Sequence, residues 1–128
     1  MPVPKSVPKI LIVDDDIYAL QTIHSIVKGL GYIVHDVTSG KAALEILKKE
    51  KFDLVLLDVL MPQMGGREVL IEIRKTLKLK KLKVILLSVV ELGDLGFQLI
   101  KNLQPVSHLD KASGITELRK HLKLVLNS

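Results

Sequence analysis

The sequence contains no cysteine, so disulfides and zinc-thiolate sites are excluded outright, and a chain without either is at ease in a reducing compartment. Aromatic residues make up only 3%, which leaves little material for the stacking platforms that hold single-stranded nucleic acids. No apolar run approaches the roughly 18 residues that a membrane span needs. The opening Met1-Pro2-Val3-Pro4-Lys5-Ser6-Val7-Pro8 lacks the apolar core of a signal peptide and reads as an extended lead-in. The cytoplasm is the expected location, with no membrane attachment.

What is present fits one domain. At 128 residues, 48% of them apolar, the chain can bury a single core covered on two faces. The division is a lead-in over residues 1–8 and one domain over residues 9–128. The formal charge of +5 and pI near 9.5 raise the question of an anionic partner, since Arg74, Lys75, Lys78, Lys80, Lys81 and Lys83 crowd one connection. Without a recognition helix or stacking aromatics, that crowd reads as a solvated helix end and loop, and no direct nucleic-acid binding is expected.

Short apolar runs alternate with amphipathic stretches, the pattern of βαβ units on a parallel sheet. The runs Lys9 to Val13, Ile33 to Val37, Leu54 to Leu57, Val84 to Leu87 and Val106 to Leu109 are rich in β-branched residues and leucine, as strands buried on both faces should be. Ile17, Leu20, Ile23, Val27 and Leu30 recur at near-helical spacing, and Gly31 supplies a left-handed stop. Lys41 to Lys49 and Arg67 to Leu77 read as the second and third helices, and Ile115, Leu118, Leu122 and Val125 as the inward stripe of the last. Between strands four and five, Gly93 and Gly96 break the first turn of a weak helix, and Leu95, Leu99 and Leu103 leave a short apolar face before Pro105. That element is expected to be short or mobile. Right-handed crossovers predict an α/β fold, a flavodoxin-like, doubly wound (βα)5 with a five-stranded parallel sheet in the order 2-1-3-4-5.

This order puts a switch point between strands one and three, so residues beyond their carboxyl ends line the ligand crevice. Asp14, Asp15 and Asp16 follow strand one, and Asp58 follows strand three. Like charges a few ångströms apart raise each other's pKa or demand a cation, and hard oxygen ligands suit Mg2+ or Mn2+ better than zinc. Asp16 is the candidate cap of helix one. Ser88 after strand four, and Asp110 and Lys111 after strand five, bring a hydroxyl and an ammonium to the same rim. An acyl phosphate on a carboxylate needs metal on one side, a positive point charge on another and a hydroxyl donor for a remaining oxygen. Alone, Ser88 would be an ordinary strand end and Lys111 an ordinary surface lysine; their joint placement carries the weight.

The residues Ile10-Leu-Ile-Val-Asp-Asp-Asp16, Leu54-Val-Leu-Leu-Asp-Val-Leu-Met-Pro-Gln-Met-Gly-Gly66, Val84-Ile-Leu-Leu-Ser88 and the Lys111 segment resemble the response-regulator receiver family of two-component signalling, over roughly Lys9 to Leu126. Asp58 with Met61-Pro62 and Gly65-Gly66 at those offsets is similar to the family's phosphorylation-site signature. The resemblance implies that residues 9–128 are a receiver domain. Asp58 would accept a phosphoryl group, Mg2+-dependently, from a sensor histidine kinase or a phosphotransfer protein. It implies metal ligation by Asp15 and Asp58 and by the backbone carbonyl of Leu60, with Asp14 acting mostly through water. Ser88 is similar to the family's switch hydroxyl and Lys111 to its phosphate-pairing lysine. The output would be a change of affinity for a downstream effector at the face from strand four to helix five. A homodimer through helix four, strand five and helix five is the assembly the family suggests. The protein would be a signalling phosphoacceptor, not an enzyme with a separate substrate.

Departures from the family pattern cluster in the output half. His108 stands at the switch position of an aromatic residue, Ala112 replaces a proline usually preceded by a cis peptide, and Val89 replaces a small residue. A non-proline cis bond costs about 2.5–4 kcal/mol, so the bond before Ala112 is expected to be trans. Leu60 and Val90 are apolar where the family's attacking water is flanked, which predicts slow self-dephosphorylation; a half-life of only seconds would contradict it. Two other classes compete: a receiver-like interaction module that cycles no phosphate, and a haloacid-dehalogenase-type phosphatase through Asp14-x-Asp16, which lacks chain for a cap and has Ile17 and Tyr18 where a threonine is usual.

Overall fold

The computed structural model describes residues 6–88 and 107–127. Val89, Val90, the helix expected around Gly93 to Leu103, Pro105 and Val106 lie outside the described residues. The elements run β1 (Lys9–Val13), α1 (Ile17–Gly29), β2 (Ile33–Val37), α2 (Gly40–Lys49), β3 (Leu54–Asp58), α3 (Gly66–Ile71) with a π-helical turn (Glu72–Thr76), β4 (Lys83–Ser88), β5 (Ser107–Asp110), and a C-terminal helix, α4 (Gly114–Leu126). The strands form one parallel sheet in the expected order β2-β1-β3-β4-β5. No helix among the described residues is long and apolar enough to cross a membrane.

Strand alternation divides the core. Leu11, Val13, Val55, Leu57, Val84 and Leu86 point to one side, where Ala43 and Leu47 of α2 and Val69, Leu70 and Ile73 of the third helical stretch cover them. Ile10, Ile12, Leu54, Leu56, Ile85 and Leu87 point to the other, under Leu20 and Val27 of α1 and Leu118, Leu122 and Val125 of α4. The central strands β1, β3 and β4 are buried on both faces, which is why their runs read as continuous apolar sequence, whereas the edge strands β2 and β5 are not: Ile33 is 47% exposed, and His35 and Asp36 interrupt the β2 run. Asp16 caps α1 as expected, its carboxylate accepting from the N–H groups of Tyr18 and Ala19. Gly31 takes φ 101° just past the helix end, a conformation that a side chain disfavours.

Several expectations need correcting. Asp58 and Ser88 do not follow their strands but end them, and Asp110 ends β5, because the ladder continues through Asp58 opposite Leu87 and Ser88 opposite Asp110. Ile115 is 53% exposed and Ile17 is 55% exposed. Both lie in a first helical turn, and their stripes bury only from Leu118 and Leu20 onward. The third helix is α-helical only to Ile71, after which the N–H of Leu77 reaches back to the Glu72 carbonyl and widens the turn. The basic connection is not wholly solvated either. Arg74 is 8% exposed and donates to the carbonyls of Leu79 and Leu82, both at 2.6 Å, while Lys83 Nζ donates to the Val125 carbonyl at 2.6 Å.

Candidate functional site

β1 and β3 are adjacent and in register, Val13 opposite Leu57, so the next residues, Asp14 and Asp58, emerge side by side. Both also continue the alternation of the face that carries Ile10, Ile12, Leu54 and Leu56, so they leave the sheet on one side. Asp14 is fully buried and Asp58 is 4% exposed. Asp15 is exposed beside them, and carboxylate oxygens of all three lie within 4.8 Å of one another.

Gly66 explains how the segment after β3 turns so closely around Asp58. Its N–H donates to the Val59 carbonyl at 2.9 Å, and a Cβ at this position would run into the carbonyl oxygen of Asp58. The Leu60 N–H, 3.4 Å from Asp58 Oδ1, closes the loop over the carboxylate, and the Leu60 side chain stays 59% exposed at the mouth. The Asp16 N–H donates to Asp14 Oδ1 at 3.0 Å, so the start of α1 orients that carboxylate.

Lys111 enters from the turn after β5. Its Nζ lies 2.6 Å from Asp14 Oδ2 and 3.4 Å from Asp58 Oδ2, with the lysine side chain 13% exposed. The shorter contact is with Asp14, not with Asp58, and sequence reasoning gave no hint of this pairing. That contact is a charge pairing outside hydrogen-bond geometry, and Asp14 Oδ2 is buried with no hydrogen-bond partner. Burial, and then the Asp14 carboxylate, push the Asp58 carboxyl up to about 6 against the partial relief of Lys111. Burial alone would pull the Lys111 ammonium down, but Asp14 and Asp58 outweigh it and hold the ammonium above its ordinary value. Three carboxylates whose oxygens lie within 4.8 Å of one another are hard donors that fit a divalent cation of the Mg2+ type.

Ser88 is buried at the carboxyl end of β4, one position beyond the partner of Asp58. His108 lies on β5 opposite Leu86, partly buried, and its Nε2 is buried with no hydrogen-bond partner. No cis peptide bond is present among the described residues, so the bond before Ala112 is trans, as expected. Asp14, Asp15, Asp58 and Lys111 therefore come together at one edge, with Ser88 on the adjoining strand end.

Comparison with known proteins places the chain in one family. The response regulator receiver domain family matches residues 10–123. Sporulation initiation phosphotransferase F of Bacillus subtilis is 34% identical over 119 residues, covering 92% of this chain and 93% of that protein. The two-component response regulator ORR3 of rice is 34% identical over 87 residues, 67% of this chain and 66% of its own length. Among solved structures, the chemotaxis protein CheY4 of Vibrio cholerae superposes with a TM-score of 0.88 at 28% identity, covering 94% of this chain and 99% of that one. The response regulator TrrA of Thermotoga maritima, solved in complex with Mg2+-BeF, has a TM-score of 0.81 at 30% identity and covers 93% and 99%. The chain belongs to the response regulator receiver family of two-component systems.

Proposed function

We propose that residues 9–128 form a receiver domain that takes a phosphoryl group onto Asp58 from a phosphohistidine of a sensor kinase or phosphotransfer protein, with residues 1–8 as a lead-in. The observation that carries this is the buried Asp58 carboxylate, pushed up to about 6, between two further aspartates and the Lys111 ammonium. A carboxylate of that kind is largely ionised at neutral pH and still more basic than an ordinary one, which favours it as a nucleophile. An Asp58 oxygen attacks phosphorus in line; the new O–P bond forms as the bond to the donor histidine nitrogen breaks, and the nitrogen keeps the electron pair. Lys111 then pairs with a phosphoryl oxygen, which requires it to share or leave its 2.6 Å contact with Asp14. A divalent cation, Mg2+ or Mn2+, held by Asp14, Asp15, Asp58 and the Leu60 carbonyl would neutralise charge on the transferred oxygens.

Ser88 donates its hydroxyl to a remaining phosphoryl oxygen, and its shift biases the surface running from β4 to α4 toward an effector. Beryllofluoride with Mg2+ tests this reading on the 15N-labelled protein: amide shifts should centre on Asp58, Ser88 and Lys111 and disappear in Asp58→Asn. A second reading, an interaction module that cycles no phosphate, rests on His108, whose unpaired buried nitrogen replaces the aromatic switch residue. A wild-type spectrum unchanged by beryllofluoride would favour it.

A further inference from the structure

The end of the sheet opposite Asp58 holds a groove of about 700 Å3 between the starts of β1, β3 and β4 and the end of α4. Leu47, Phe52, Leu79, Leu82 and Leu126 supply apolar lining. Five lysines line it against two acids, and both acids are already engaged. Glu50 accepts from Lys9 Nζ at 2.6 Å, and Asp53 Oδ2 accepts from the Lys9 backbone N–H at 2.7 Å. Lys83 is spent on the Val125 carbonyl. Lys51, Lys78, Lys80 and Lys81 are exposed and have no acidic partner among the described residues.

The lysine-bearing wall is fixed rather than loose. Arg74 reaches from the π-helical turn to the carbonyls of Leu79 and Leu82, the Leu79 N–H donates to the Ile73 carbonyl at 2.9 Å, and Lys78 takes φ 56°. A buried guanidinium on two carbonyls selects one loop shape, and none of these contacts touches the Asp58 crevice. We propose that this groove docks an acidic, amphipathic segment of a partner protein. Leucine-like side chains would rest on the floor, and carboxylates would face Lys51, Lys78, Lys80 and Lys81.

The lining decides between anionic partners. Nucleic acid would use the lysines but has no use for a leucine floor, and Phe52, the one aromatic there, is occupied edge-on by His35 and capped by Lys9 Nζ at 4.7 Å. The chain's own first residues, Met1 to Lys5, carry a lysine and no acid, so their charge opposes self-docking.

The test is a titration of the 15N-labelled full chain with a twelve-residue synthetic peptide carrying leucine at helical spacing and glutamate elsewhere. Saturable shifts are expected at residues 51–53 and 78–83, with a Kd below about 1 mM. Binding should weaken at least about tenfold when the leucines become serine, and as much in the triple variant Lys78→Glu, Lys80→Glu, Lys81→Glu with unchanged circular dichroism. Lys51→Glu, in the separate connection between α2 and β3, should weaken it too, so the result does not hang on one loop. Absence of saturable shifts would overturn the proposal. So would binding indifferent to the leucines or the lysines, or tighter binding of a twelve-nucleotide RNA.

Discussion

Removing the charge of Asp58 should stabilise the metal-free protein at neutral pH. The carboxyl titrates near 3.8 in an unfolded chain and is pushed up to about 6 in the fold, first by burial and then by Asp14. A pKa raised in the native state means that the fold prefers the protonated form. The penalty is therefore absent below the unfolded value, grows as pH rises between the two values, and is full above about 6. Roughly two units at 1.36 kcal/mol each give about 3 kcal/mol. Asp58→Asn relieves that penalty and leaves Lys111 its 2.6 Å contact with Asp14. Urea unfolding in EDTA should find Asp58→Asn more stable than wild type by up to about 3 kcal/mol near pH 7.5, and within about 0.5 kcal/mol of it near pH 4. Mg2+ should close the gap by stabilising the wild type alone. A variant less stable than wild type near pH 7.5, or a difference that ignores pH, would mean that the Asp58 charge does not destabilise the metal-free fold.

Three further substitutions probe separate parts of the structure. Lys111→Met leaves the fully buried Asp14 without its cation; unfolding experiments should find a loss of about 3–5 kcal/mol, partly recovered with Mg2+, and phosphoryl uptake should fall sharply. Gly66→Ala drives a methyl group into the Asp58 carbonyl oxygen and to 2.9 Å from Val59 Cα, so thermal melting should show about 1–3 kcal/mol of destabilisation. Arg74→Met strands the Leu79 and Leu82 carbonyls at about 1–3 kcal/mol each, and hydrogen exchange should report lost protection over residues 78–83.

The parts of the fold that follow from periodicity were open to reading. Ile10 and Ile12 alternate with Leu11 and Val13, and two-sided burial of such strands leaves few arrangements other than a doubly wound sheet. Asp14 and Asp58 converge because strand order and alternation carry them, and neither depends on a side chain's reach. Lys111 is different: that its tip meets Asp14 at 2.6 Å before Asp58 at 3.4 Å is set by the turn after β5, which leaves no periodic trace. Arg74 was misread for the opposite reason. A charged residue in a basic run belongs outside by every general expectation, and only the π-helical turn and the loop carbonyls of Leu79 and Leu82 draw it in.

The central claim is that Asp58 is the phosphoacceptor. Its most direct test is intact-mass analysis after incubation with acetyl phosphate and Mg2+, followed by peptide mapping. The expected result is the added mass of one phosphoryl group, lost on alkaline or hydroxylamine treatment, mapped to the segment Leu54 to Gly66, and absent in Asp58→Asn. A wild-type protein that gains no mass, or an Asp58→Asn variant that gains as much as wild type, would contradict it.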